Sequence, residues 1–283
     1  MRFVMNSFFR FFKTNVRLLP TFFLSFVFLF LNPFGFCKTI PPIDRGFVSR
    51  GVSGTLIVSS LDGSREWIHD VERSDRRFLP ASTFKILNTL IALRENAANE
   101  RSTVFRWKGT KYPLEEWNRD HTLKSAFQKS CVWCYQEIAQ KVGPKKYDRY
   151  LQNLEYGNGK TGTNVRTFWL EGDLRISARE QIRFLKRLYR KELGFRSQDY
   201  EALRRIFLVS DESEFSLYAK TGWATVEPEV GWYVGILERG NEVWFFALNL
   251  DVRGTEDLRL RKEILLQTLQ DLCLIPNRSI RFR

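Results

Sequence analysis

The segments FSLYAKT (residues 215–221), VGWYVGILE (230–238) and VWFFALNL (243–250) decide how this chain folds. Each is rich in aromatic and β-branched residues. Turn signals, among them Arg239-Gly240-Asn241, separate them, so the region predicts consecutive strands. Upstream, VSGTLIVSS (52–60) has the same character and ends at Asp62-Gly63, a tight-turn dipeptide, which makes Glu66–Val71 the returning strand. After Pro80 the pattern becomes helical over Ala81–Leu93, with Ile86, Leu87, Leu90, Ile91 and Leu93 on one face. From about residue 95 to 205, short helical patterns mix with Gly-rich loops such as YGNGKTGT (156–163). Downstream, Leu258, Leu265, Leu269 and Leu272 recur at helical spacing within Asp257–Leu272, with Ile264 beside them. Strands open the chain, helices fill its middle, and strands plus a helix close it. That order predicts one α+β domain with a helical insertion.

Composition narrows the chemistry. The 283 residues carry 45 Lys+Arg against 32 Asp+Glu, a net charge of +13, and only two histidines, His69 and His121. With so little histidine and no H-E-x-x-H, a His-assisted nucleophile and a His-rich zinc site are both poorly supplied, and no metal is expected. The charge suggests nucleic acid. Its densest stretch, Arg175 to Lys191, has Ile182, Phe184, Leu185, Leu188 and Tyr189 at helical spacing, which reads better as a solvated helix face above a buried stripe.

The first forty residues differ from the rest. Twelve of the 25 Phe lie within residues 1–36, and Arg2, Arg10, Lys13 and Arg17 precede the apolar run Leu18–Leu31. A basic segment followed by a short apolar run is the pattern of a secretory signal. Small Gly35 and Cys37 place cleavage after Cys37, giving a signal over 1–37 and a catalytic domain over 38–283. Removing four positive charges leaves +9. The mature protein is then expected outside the cytoplasm, in the periplasm or secreted, with an uncleaved N-terminal anchor as the alternative. A secretion signal argues against nucleic acid. Cys131, Cys134 and Cys273 remain. Cys131 and Cys134 form a C-x-x-C that is either a redox or disulfide pair or two small buried hydrophobes, the latter being commoner for isolated cysteines.

Ser82-Thr-Phe-Lys85 opens the helix after Pro80, and its spacing puts both functional side chains on one face, one turn apart. Backbone N–H groups at a helix start can stabilise a developing oxyanion, and Lys85 is the nearest base for Ser82. Ser130-Cys131-Val132 opens a second helix-like run. Lys220-Thr221-Gly222 ends a strand, where it can present main-chain groups to an extended substrate and a cation to a carboxylate. Lys160-Thr161-Gly162 repeats the letters in a loop without strand neighbours, so the role is assigned to Lys220.

These motifs, with Tyr156-Gly-Asn158, Phe168-Trp169-Leu170, Gly231-Trp232 and Arg261, resemble in order those of the class D (oxacillinase-type) serine β-lactamases, penicillin-recognising serine enzymes. Valine at position 132, where sister groups carry Asn, points to class D. The resemblance spans roughly residues 40–275. It implies an α+β β-lactamase/transpeptidase-like fold, an antiparallel sheet flanked by N- and C-terminal helices with a helical subdomain. It further implies that Ser82 attacks a β-lactam, that the N–H groups of Ser82 and Trp223 form the oxyanion hole, and that Ser130 relays a proton to the leaving nitrogen. Lys220, Thr221 and Arg261 would hold the substrate carboxylate, with Val132, Leu170, Gly222 and Trp223 lining the site. Lys85 would be carboxylated by CO2 or bicarbonate, the one cofactor implied, and Trp169 would donate its indole N–H to the carbamate. An ammonium of ordinary pKa about 10.4 cannot act as a base at neutral pH, and apolar neighbours such as Phe84, Val132 and Leu170 would favour the neutral amine.

Departures near the site, Cys131, Trp133 and Cys134 after Ser130 and Trp223 after the Lys-Thr-Gly, are expected to affect the pocket floor and narrow the cleft. The competing function is a β-lactam sensor that is acylated but deacylates slowly, although a transducer would need more membrane segments. A transpeptidase would be expected to carry Ser-x-Asn. The partner is a small-molecule β-lactam, and the protein is expected to be a monomer or homodimer without stable membrane association if the leader is removed.

Overall fold

The computed structural model describes residues 40–277. The chain divides into two units, Met1–Thr39 and Ile40–Arg283. The expected signal over 1–37 lies outside the described residues. None of the described helices is long and apolar enough to cross a membrane.

Helix α1 (Pro42–Val48) leads into β1 (Gly54–Ser60) and β2 (Glu66–His69). Strand β2 ends two residues earlier than the sequence suggests. Asp70 turns left-handed, φ 52°, and its carboxylate accepts the Arg73 N–H at 2.9 Å, starting α2 (Val71–Asp75) instead. A 3-10 turn over Ala81–Phe84 then enters α3 (Lys85–Arg94). The short β3 (Val104–Phe105) and β4 (His121–Thr122) pair with one another ahead of α4 (Leu123–Gln128), α5 (Val132–Val142) and α6 (Pro144–Asn153). Next come α7 (Ala178–Tyr189), α8 (Ser197–Phe207) and β5 (Leu208–Asp211). The chain closes with β6 (Ser216–Ala224), β7 (Val230–Arg239), β8 (Glu242–Asp251) and α9 (Asp257–Asp271).

Six strands form one antiparallel sheet in the order β2-β1-β8-β7-β6-β5. Both faces are covered, which is why β8 reads as a nearly unbroken apolar run rather than an alternating one. Leu56 and Val58 of β1, Phe246 and Leu248 of β8 and Leu237 of β7 face a core completed by α1 and α9. Ile57, Phe245, Ala247, Val234 and Ile236 face the opposite core, which contains α3, α5, α7 and α8. This is the expected α+β architecture, an antiparallel sheet between terminal helices on one side and a helical subdomain on the other.

The basic stretch becomes α7, with Ile182, Phe184, Leu185 and Leu188 buried beneath it as the periodicity requires. Its cations are less free than a purely solvated face would be. Arg179 pairs with Asp75 at 3.0 Å, Lys186 donates to Ser59 Oγ at 2.9 Å, Arg187 to the Leu154 carbonyl at 2.7 Å and Arg190 to the Leu61 carbonyl at 2.9 Å. Much of the positive charge therefore fastens α7 to the sheet edge and neighbouring loops.

Candidate active site

The Ser82 turn is held from three sides. Ala81 takes a left-handed conformation, φ 47°, and donates its N–H to the Trp169 carbonyl at 2.9 Å. A non-glycine residue in that region costs about 1–3 kcal/mol and persists only where its surroundings impose it. Thr83 donates its N–H and its hydroxyl to the Pro80 carbonyl, at 3.1 and 2.7 Å, which makes the turn 3-10 rather than the α-helical start that periodicity alone suggests. On the third side lies β6. A Cβ added to Gly222 would come within 3.1 Å of both the Pro80 carbonyl oxygen and Thr83 Cγ2, so a glycine there lets the strand approach the nucleophile turn directly.

Lys85 follows one turn later. Its Nζ lies 2.9 Å from Ser82 Oγ and 5.0 Å from the centre of the Tyr135 ring. Ser82 keeps 9% of its surface exposed, whereas Lys85 is fully buried. Burial alone pushes the Lys85 amine down from its ordinary 10.5 to about 7. No carboxylate pairs with Lys85 among the described residues, so nothing offsets that desolvation. Nearby, the Trp169 indole N–H is buried without a hydrogen-bond partner among the described residues. An unpaired buried donor is costly and marks a place where an acceptor belongs.

Lys220, on β6, is only 3% exposed. Its ammonium donates to Ser130 Oγ and to the Thr221 carbonyl, the latter at 3.0 Å. Burial, with Lys85, Arg261 and Lys262 adding repulsion, pushes its pKa well below the ordinary lysine range. Ser130, just ahead of α5, is also left-handed, φ 53°. Arg261 on α9 lies across β7, where a Cβ on Gly231 would meet its Cδ at 2.9 Å. It donates to the Gly222 and Leu258 carbonyls, each at 2.6 Å. Burial lowers the guanidinium to about 10, still a cation at neutral pH. The structure thus gathers Ser82, Lys85, Ser130, Lys220, Gly222 and Arg261, a site of three basic side chains with no acidic partner for Lys85, Lys220 or Arg261 among the described residues. Such a site favours an anionic ligand.

Thr221, Trp223, Val132 and Leu170 are half-buried around these groups. Trp223 does not swing freely over the cleft, because its indole donates to Glu229 Oε2 at 3.0 Å. Trp133 is almost fully buried. Its indole donates to the Trp117 carbonyl at 3.0 Å, and its ring stacks on Tyr112 beside Phe105 and His121. The second Lys-Thr-Gly, at 160–162, lies outside the sheet, with the Thr161 hydroxyl bound to Asp148. Tyr156-Gly-Asn158 is a clasp. Asn158 accepts the Arg175 N–H at 3.0 Å and donates to the Asp173 carbonyl at 2.7 Å. A Cβ on the left-handed Gly157 would fall 2.1 Å from the Arg175 carbonyl oxygen.

The cysteines correct the sequence reading. Cys131 and Cys134 are buried, as isolated cysteines usually are, but they are joined in a disulfide. The extended-to-helical switch at Cys131 brings the two α-carbons to 5.5 Å, within bridging reach. Ligand atoms of His121 and of the two cysteines lie within 4.8 Å of one another, yet the sulfurs are bonded to each other and both imidazole nitrogens are engaged, by Ser125 Oγ and the Glu116 carbonyl. Three residues escaped the sequence reading. Tyr135 lies over Lys85, Thr89 bonds the Tyr135 hydroxyl at 2.7 Å and the Lys85 carbonyl at 2.7 Å, and Glu229 holds Trp223. The spacing of Tyr135 three after Val132, on the same helical face, was the available signal for the first.

Residues 65–270 match the family model of the penicillin-binding protein transpeptidase domain. That defines the class: serine enzymes of the penicillin-binding, transpeptidase-like type. Within it, the chain is 36% identical over 231 residues to β-lactamase OXA-48 of Klebsiella pneumoniae, covering 81% of this chain and 87% of that protein. It is 38% identical over 233 residues to OXA-20 of Pseudomonas aeruginosa, covering 81% and 86%. The crystal structure of the class D β-lactamase YbXI from Nostoc superposes with a TM-score of 0.80 at 36% identity, covering 82% of this chain and 99% of that one. FUS-1 (OXA-85) of Fusobacterium nucleatum subsp. polymorphum gives 0.80 at 33% identity, covering 82% and 98%. The chain belongs to the class D β-lactamase family.

Proposed function

We propose that this protein hydrolyses β-lactam antibiotics through an acyl-enzyme on Ser82, with Lys85 carboxylated on Nζ as the general base. The observation that carries the reading is the Lys85 amine, fully buried, unpaired by any carboxylate, lowered to about 7 and 2.9 Å from Ser82 Oγ. A neutral amine adds CO2 and releases one proton, and the product is an anion. The unpaired Trp169 indole N–H fits that anion as its hydrogen-bond donor. Once present, the carboxyl group would supply a base strong enough to take a hydroxyl or water proton at neutral pH.

The remaining roles fall to the chain itself. The Ser82 oxygen attacks the lactam carbonyl, and the main-chain N–H groups of Ser82 and of Trp223, brought together by the close approach of Gly222, receive the developing oxyanion. Lys220, Thr221 and Arg261 orient the substrate carboxylate. Ser130, bound to Lys220, passes a proton to the ring nitrogen as the C–N bond breaks. Water then cleaves the Ser82 ester. Export to the periplasm, directed by residues 1–37, would place the enzyme where such substrates arrive.

The decisive test is purified protein with a chromogenic cephalosporin, followed by absorbance and by intact mass together. Multiple turnovers with a transient adduct on Ser82 are expected. A single stoichiometric burst that leaves a persistent adduct would overturn hydrolysis in favour of a sensor.

A further inference from the structure

The start of α5 lacks the oxygen cap that helix N-termini ordinarily use. Cys131 occupies the N-cap position, and its sulfur, a weak acceptor, receives the Cys134 N–H at 3.3 Å. The turn is closed covalently instead, by the bond between the same two residues. What it closes is the active site. Ser130 immediately precedes it in a strained left-handed conformation and holds the Lys220 ammonium. Val132 lies inside the bridged turn, and Tyr135 follows it, with its ring over Lys85 and its hydroxyl on Thr89. Backbone bonds from Ser130 N–H to the Phe127 carbonyl, 3.1 Å, and from Cys131 N–H to the Ala126 carbonyl, 2.9 Å, anchor the other end to α4.

We propose that the Cys131–Cys134 disulfide is a positioning element of the catalytic site, holding Ser130 on Lys220 and Tyr135 over Lys85. This rests on the hydrolase reading above. A left-handed serine is retained only while its surroundings over-determine it. Without the bridge, the first turn of α5 keeps a weak sulfur cap alone, and Ser130 and Tyr135, on either side of it, lose their fixed separation. The link is reducible: a dithiol reductant gives up two electrons and two protons, becoming a cyclic disulfide, and leaves Cys131 and Cys134 as thiols. Both sulfurs are fully buried, so this requires opening of the turn.

The test compares wild-type protein, before and after incubation with a dithiol, with the variant Cys131→Ala/Cys134→Ala. A second variant, Cys131→Ser/Cys134→Ala, restores an oxygen cap and removes only the covalent link, so a folded protein lacking the bridge is available for measurement. Disulfide mapping by mass spectrometry, the rate of Ser82 acylation, kcat, KM and the bicarbonate concentration giving half-maximal activity are recorded for each. Loss of the link should lower acylation and kcat by about 10- to 100-fold, the usual consequence of a misplacement near 1 Å. It should also raise the bicarbonate requirement, a change that lowered overall stability alone would not produce. Dithiol should inhibit the wild type and leave both variants unaffected. Wild-type acylation rates and an unchanged bicarbonate requirement in the oxygen-capped variant would overturn the proposal. If wild-type protein acylates without turning over, the hydrolase reading fails, while the acylation rates of the variants still decide the role of the disulfide.

Discussion

Replacing Lys85 with methionine should make the protein more stable and catalytically dead, and the gain should depend on pH. The amine is fully buried and desolvation lowers it from 10.5 to about 7. At about 1.4 kcal/mol per pH decade, that fall is a penalty of about 5 kcal/mol on the folded state. The sign follows from proton counting. Between pH 7 and 10.5 the unfolded chain holds a proton on Lys85 that the folded chain lacks, so raising the pH stabilises the wild type. The penalty is complete at and below pH 7, about 2 kcal/mol at pH 9, and gone above 10.5. Methionine fills a similar volume without a group to desolvate. Lys85→Met should therefore gain a few kcal/mol over wild type at pH 6–7 and progressively less towards pH 10. The assay is urea denaturation at pH 6, 7.5 and 9 in buffers stripped of CO2, because carboxylation would itself stabilise the wild type. A variant less stable than wild type at pH 6, or a difference that does not shrink with pH, would show that burial of Lys85 carries no such penalty.

Turnover without added bicarbonate should decline as pH falls below about 7, where the amine protonates and cannot add CO2, and bicarbonate should restore part of it; a flat profile between pH 6 and 8 would contradict this. Trp169→Phe removes the unpaired indole donor and should raise the bicarbonate needed for half-maximal activity about tenfold, the worth of one hydrogen bond to a charged group, as read by titration. Arg261→Ala should raise KM for carboxylate-bearing substrates by about 10- to 100-fold, with a smaller effect on kcat, measured by steady-state kinetics.

The fold was legible where burial imposes a pattern. Strands β1, β7 and β8 were readable as buried, mostly apolar runs because both sheet faces are covered, β6 through its FSLYA stretch, and helix α9 through leucines recurring at helical spacing. Strand β2 was over-extended at Val71, because the left-handed turn at Asp70 leaves no periodic trace. In the same way, Ala81 and Ser130 adopt positive φ through contacts with Trp169 and Lys220 that arise only in three dimensions. The candidate site residues were legible through the order of their motifs along the chain: Ser82 and Lys85 lie at the entry to α3, Ser130 just ahead of α5 and Lys220 on β6, whereas Trp169 lies in a turn that periodicity does not mark. The bond between Cys131 and Cys134 was not legible. C-x-x-C is compatible with free thiols, and only the conformation at the head of α5 brings the sulfurs together. Glu229 escaped because its partner Trp223 lies across the β6–β7 turn, beyond any periodicity.

Hydrolysis by this site depends on the chemical state of Lys85, and that state is observable directly. Protein equilibrated with 13C-bicarbonate at pH 8 should show by carbon NMR one carbamate resonance from a slowly exchanging site. The resonance should be absent from Lys85→Met and should fade as the pH is taken below 7. A wild-type protein that turns over β-lactams with no such resonance, or a resonance that survives in Lys85→Met, would contradict the carboxylated-lysine mechanism.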